Sequence, residues 1–143
     1  MPEKVLLATD GSKDAALAAR PAVDVCQGTR AELHVVHVWF NVPTARLRPF
    51  MRAELKKLGN ELLEEGVKRV EDSGGVIIEA HLVEGRAADE ILDLAEGIGA
   101  DLVAIGSRGL GAIGRMRLGS VSTKVVRAAK GPVLVHPPLR GES

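Results

Sequence analysis

Residues 102–122 read Leu-Val-Ala-Ile-Gly-Ser-Arg-Gly-Leu-Gly-Ala-Ile-Gly-Arg-Met-Arg-Leu-Gly-Ser-Val-Ser, and three kinds of segment follow one another in them. Leu102 to Ile105 is continuously apolar, the composition of a strand covered on both faces. The chain from Gly106 onward is glycine-rich. Gly119-Ser120 closes it where a helix opens that runs to Lys130-Gly131. Strand, glycine loop and helix N-terminus in that order make a cradle for an anion. Glycine lets backbone N–H groups approach closely, the helix N-terminus carries partial positive charge, and Ser120 and Ser122 add hydroxyl donors.

The charge distribution agrees. Between Leu102 and Gly141 there is no Asp or Glu, while Arg108, Arg115, Arg117, Lys124, Arg127, Lys130 and Arg140 all fall there. Residues 1–101 hold 12 basic and 18 acidic side chains, which brings the formal net charge to zero. A neutral chain has no general attraction for nucleic acid or an anionic membrane, so its cationic third points to a small anionic ligand.

Upstream, strands and helices alternate. Val5 to Ala8 is a short apolar strand ending in Thr9-Asp10-Gly11-Ser12, with Ser12 as the cap of a helix toward Gln27-Gly28. Pro21 inside that helix kinks it or starts a second helical piece. Glu32 to Trp39 reads as the second strand, and residues 40–49, with Pro43 and Pro49, as a loop. Leu55, Leu58, Leu62 and Val70 mark an amphipathic helix from Phe50 to about Ser73, stopped by Gly74-Gly75. Val76 to Val83 is the third strand, with Glu79 and His81 on one face and Ile78, Ala80 and Leu82 on the other, a half-polar pattern suited to a sheet edge. A helix through Ala88, Ile91, Leu92 and Ala95 ends around Gly97 to Gly99, and Pro132 to His136 makes the fifth strand. Five such alternations predict an α/β fold: a doubly wound parallel sheet with helices on both faces.

The length of 143 residues leaves room for one domain, expected over residues 1–143. Apolar runs stay well short of the roughly 18 residues of a membrane span. A start of Met1-Pro2-Glu3-Lys4 directly before a strand, with Cys26 as the one cysteine, sets a cytoplasmic expectation without disulfides. The ligand of an open α/β sheet sits beyond the carboxyl ends of its strands, where strand order reverses. The two most apolar short strands end in Thr9-Asp10 and in Gly106-Ser107-Arg108-Gly109, so these loops face each other if the strands are neighbours.

Two common phosphate motifs fail here. Gly109-Leu110-Gly111-Ala112-Ile113-Gly114 has the spacing of the dinucleotide fingerprint. It follows the fourth strand instead of the first, however, and lacks an acidic residue about 20 positions on. A Walker A loop requires Gly-Lys-Ser/Thr, and Gly119-Ser120 has no lysine before the serine.

Gly106-x-x-Gly109, nine residues, then Gly119-Ser120 resembles the ATP-binding motif of the universal stress protein family. The likeness extends to Val5 to Ser12, Leu33 to Val38, Ala100-Asp101-Leu102 and Gly131-Pro132-Val133-Leu134-Val135, nearly the whole chain. It implies a sheet ordered 3-2-1-4-5 and ATP, AMP or ADP in the crevice, with Mg2+ as a companion ion. By position, Asp10 meets the ribose or adenine edge with Ala8 and Thr9 beside it, and Val38 supplies backbone contacts to adenine. Gly106, Arg108, Gly109, Gly119, Ser120, Val121 and Ser122 bind phosphates and ribose. The resemblance implies a homodimer joined through the last strand, Pro132 to His136, and a nucleotide-dependent stress-response or signalling role. A slow ATPase or nucleotidyl-transfer enzyme on the same fold, and a nucleotide-free interaction module, are the rival readings.

Among single residues, Trp39 stacks on adenine or belongs to the core, Asp101 lies at the far end of its strand and is structural, and Cys26 is a buried thiol. The histidines are read as no metal site. His34 and His37 are three apart on a strand and point to opposite faces, while His81 and His136 belong to separate edge strands.

Overall fold

A computed structural model describes residues 2–10, 18–39, 49–106 and 118–136. Lys4–Ala8 (β1), Glu32–Trp39 (β2), Ile77–Glu84 (β3), Leu102–Gly106 (β4) and Val133–His136 (β5) pair in parallel as one sheet, in the order β3-β2-β1-β4-β5. The half-polar third strand is an edge, as its pattern predicts, and β5 is the other. Helices Ala19–Thr29 (α1) and Pro49–Asp72 (α2) cover one face, and Ala87–Ile98 (α3) and Leu118–Ala128 (α4) the other.

Alternation along the strands builds two cores. Val5, Leu7, Leu33, Val35 and Ala104 meet Ala19, Ala22 and Val23 of α1 and Leu63 and Val70 of α2. Leu6, Ala8, Val36, Val103 and Ile105 meet Ala88, Ile91 and Ala95 of α3 and Val125 of α4. Val5, Leu6 and Leu7 are at most 1% exposed, so β1 is covered on both faces. Among the described residues no helix is long and apolar enough to cross a membrane.

Local differences from the sequence reading have local causes. Pro49 opens α2 instead of closing a loop, because a helix's first residue needs no N–H partner. Pro21 sits in the first turn of α1, where its missing N–H is equally harmless. That helix continues past Gly28 to Thr29, whose hydroxyl donates to Val25 O at 2.7 Å. The stop after α2 is as expected: Gly74 takes φ +90° and the Gly75 N–H returns to Val70 O at 2.9 Å. The third strand departs most. Leu33 pairs with Ile77 but His34 with Glu79, so Ile78 is the extra residue of a bulge. Ile77 joins the core in its place and Ile78 is 57% exposed. The Ser12 cap and the loop at 40–48 lie outside the described residues.

Helix α2 presents Gly59, Leu63, Gly66 and Val70 to the sheet, spaced four, three and four along one face. The two glycines permit backbone-close packing: a Cβ on Gly59 would come 2.7 Å from Trp39 Cβ, and one on Gly66 2.6 Å from Thr9 Cγ2. Gly66→Ala therefore gains helix propensity but overpacks, with a net destabilisation of about 1–3 kcal/mol expected. Gly97, exposed in α3 with no atom near a prospective Cβ, provides the control: Gly97→Ala raises stability by about 0.5 kcal/mol. Urea unfolding followed by Trp39 fluorescence measures both, and equal signs for the two variants would refute the close-packing account.

Candidate functional site

β1 and β4 pair through Val5 with Leu102, Leu6 with Val103 and Leu7 with Ala104, so the chain leaves both strands at the same end of the sheet. Thr9 and Asp10 follow β1 there, and Gly106 closes β4 opposite His136 of β5. One run of connections moves from β1 outward to β2 and β3, and the next returns to β4 on the other side of β1. In open α/β sheets such a reversal, here at the carboxyl ends of β1 and β4, is where ligands are bound.

Helix α4 runs back along the sheet. Just beyond its end, the Val103 N–H bonds Pro132 O at 3.2 Å and Lys130 Nζ reaches Glu96 Oε2 at 3.0 Å, both at the start of β4 or the end of α3. Its 11 residues span about 15 Å, which returns its first turn to the end of the sheet where Thr9 and Gly106 lie. Gly119, Ser120 and Val121 occupy that turn, which has no acidic residue, and Ser122 follows directly. Ser120 is exposed, Val121 packs against the core of the α3 side, and Ser122 is completely buried. Val38 is half-buried on that same side, one residue before the end of β2. Thus Ala8, Thr9, Asp10, Gly106 and the first turn of α4 gather at one end. Arg108 and Gly109 lie outside the described residues, as do Arg115 and Arg117.

Thr9 is held from three directions. Its N–H donates to Val36 O at 2.9 Å, its carbonyl accepts from His37 Nδ1 at 2.8 Å, and its side chain abuts Gly66. A carbonyl only accepts, so His37 carries a proton on Nδ1. This locks the position from which Asp10 projects. Sequence reading missed His37 and Gly66 as positioning residues. The available signal was register: Thr9 and His37 share the face of Val5, Leu7, Leu33 and Val35 once β1 and β2 are paired.

Of the two readings of Trp39, the structure gives the core. It is 5% exposed against Gly59, with the Arg52 guanidinium 5.4 Å from its ring centroid and Arg52 in turn paired with Glu84. Asp101 is structural, at the opposite end from Asp10. Its Oδ2 accepts from the Glu3 and Lys4 N–H groups at 2.7 and 3.1 Å, which holds its carboxyl below the usual range.

Burial pushes the His37 pKa below its ordinary 6.5, partly opposed by the bond to Thr9 and by the charge of Asp10. A histidine depressed in the folded state protonates first in the unfolded chain. Its contribution is intact above the unfolded value and is lost as pH falls through it. The urea midpoint should therefore drop between about pH 7.5 and about pH 5.5. His37→Asn, which keeps a donor for Thr9 O, should flatten part of that slope. His81, also lowered by burial, accounts for a further part, and an unchanged slope in His37→Asn would contradict this assignment.

Residues 1–137 match the universal stress protein family. A universal stress protein of Thermus aquaticus is 40% identical over 131 residues, covering 92% of this chain and 96% of the relative. The crystal structure of a universal stress protein in complex with cAMP aligns at a TM-score of 0.73 with 28% identity, over 94% of this chain and 96% of that one. A universal stress protein from Archaeoglobus fulgidus in complex with dAMP aligns at 0.67 with 26% identity, over 94% and 97% of the two chains. With fold, strand order and matched length in agreement, the chain belongs to the universal stress protein family.

Proposed function

We propose that this chain is an adenine-nucleotide-binding module whose ligand lies across the carboxyl ends of β1 and β4. The observation that carries the reading is the strand order, which reverses beside β1, so that the polar end of β1 at Thr9-Asp10 and the acid-free first turn of α4 belong to the same end of the sheet. Relatives in complex with cAMP and dAMP support it. ATP is the ligand that a long glycine-rich cradle fits best, with ADP and AMP as shorter occupants and Mg2+ neutralising the phosphate tail. Asp10 accepts from ribose hydroxyls or the adenine edge, with Ala8, Thr9 and Val38 around the base. Gly106, Arg108, Gly109, Gly119, Ser120, Val121 and Ser122 hold phosphates and ribose. Backbone N–H groups and the helix dipole do this without a lysine. The biological output is a change of partner or conformation with bound nucleotide, in a cytoplasmic protein of one domain.

Calorimetric titration of ATP against the wild type and two variants tests this. Gly119→Val places a branched side chain where phosphate must approach backbone, and Asp10→Ala removes the acceptor. Each is expected to weaken binding at least tenfold, about 1.4 kcal/mol, with an unchanged far-UV spectrum. Wild-type affinity in both variants would reject the site.

The same reading includes a homodimer through β5. Pro132 to His136 is a short apolar edge, and an uncovered edge presents unpaired backbone groups that a two-fold mate would satisfy. Sedimentation velocity at micromolar concentration is expected to show a dimer, and Leu134→Pro, which removes a ladder donor, a monomer. A wild-type monomer would contradict the pairing.

A further inference from the structure

The bulge at Ile78 has a chemical result. It sets Glu79 opposite His34 and His81 opposite Val36, so His34, Glu79 and His81 share the α3 side of the sheet. Diagonal neighbours on adjacent strands lie within reach of large side chains. His34 Nδ1 stands 3.2 Å from His81 Nε2, the rings are stacked with centroids 5.5 Å apart, and Glu79 Oε1 is 3.8 Å from His81 Nε2. One donor atom from each of the three residues falls within 4.8 Å of the other two.

We infer that His34, Glu79 and His81 form a binding site for a late first-row divalent cation of the Zn2+ type. Two imidazole nitrogens at zinc-bond length in a tetrahedron are about 3.3 Å apart, close to the separation of the His34 and His81 nitrogens. Two imidazoles and one carboxylate are a borderline-soft donor set suited to Zn2+, Ni2+, Co2+ or Cu2+ rather than to Mg2+ or Ca2+. Solvent water would complete the fourth position.

Burial separates this cluster from an ordinary surface histidine pair. The His34 side chain is 7% exposed and its Nε2 is buried without a hydrogen-bond partner. Glu32 Oε1 lies 3.6 Å from that nitrogen. Ligation through Nδ1 leaves Nε2–H on the side of Glu32, which a small shift of that exposed carboxylate would bring to hydrogen-bond distance, the carboxylate–histidine arrangement that orients metal-bound imidazoles. Ligation needs neutral imidazoles, so uptake of the ion competes with protons and weakens at low pH. The Glu79 carboxylate, 62% exposed on the sheet edge, leaves an approach from solvent. The cluster lies four residues before Val38, about 13 Å along the strand, so this site stands independently of the nucleotide.

The test uses tag-free chain stripped with EDTA. Zn2+ is titrated against a competing chromophoric chelator, and Co2+ is followed by its visible absorption. One ion per chain is expected, with tetrahedral-type Co2+ bands that Zn2+ bleaches. His81→Gln and Glu79→Gln should each lower Zn2+ affinity at least tenfold, and Glu32→Gln by about tenfold through loss of orientation. Zn2+ should shift the ring protons of His34 and His81 while leaving those of His37, on the other face, unmoved. Absence of saturable one-to-one uptake by the wild type would overturn the site, as would wild-type affinity in Glu79→Gln, whose exposed position keeps the fold out of the question.

Discussion

β1 is five residues long and has neighbours on every side. Its backbone groups pair with β2 and β4, Val5 and Leu7 fill one core, and Leu6 and Ala8 fill the other. A strand so placed has no solvent-facing side, so Val5 to Ala8 must be apolar and polar residues are confined to its two ends, Lys4 at the start and Thr9-Asp10 beyond the last residue. The carboxyl end is Thr9-Asp10. The central strand stops there, and β4 beside it stops at Gly106. Everything assigned to the nucleotide depends on this pairing.

Small residues and one histidine then make the end rigid. Gly59 and Gly66 bring α2 onto Trp39 and Thr9 at distances that any side chain would forbid, and His37 holds the Thr9 carbonyl from β2. The same packing that stabilises one face of the sheet therefore fixes the carboxyl end of β1. A buried neutral histidine also ties this end to pH, since its charged form is disfavoured by desolvation. The opposite end is tied differently, by the Asp101 carboxylate accepting from two successive N–H groups at the start of β1.

β2 carries two chemistries on its two faces. His37 faces α2 and holds the carboxyl end of β1 through Thr9, whereas His34 faces α3 and stacks on His81. Which histidine meets β3's polar residues is decided by one inserted residue. Had pairing continued in register after Leu33–Ile77, His81 would stand opposite His37 and Glu79 opposite Val35. The bulge shifts β3 by one, and a shift of one exchanges faces.

Periodicity and composition by themselves determined the alternation of strands and helices, the apolar character of the central strands, the polar edge and the acid-free segment, because each is a local property of neighbouring residues. Glu32 to Trp39 was legible to the residue, since five of its eight residues are apolar and three of those are valine. The strand order, and with it the adjacency of β1 and β4, came from resemblance, while burial ranked those two strands as the most covered. Local pattern could not show His37 beneath Thr9, the glycines of α2 against the sheet, Trp39 in the core, or His34 against His81. Each joins residues that are at least 20 positions apart, and each depends on register between strands or on how closely a helix approaches. Those quantities are set by packing of the whole sheet. One bulged residue is enough to change them without leaving a mark in the alternation of Glu79, Ala80, His81 and Leu82.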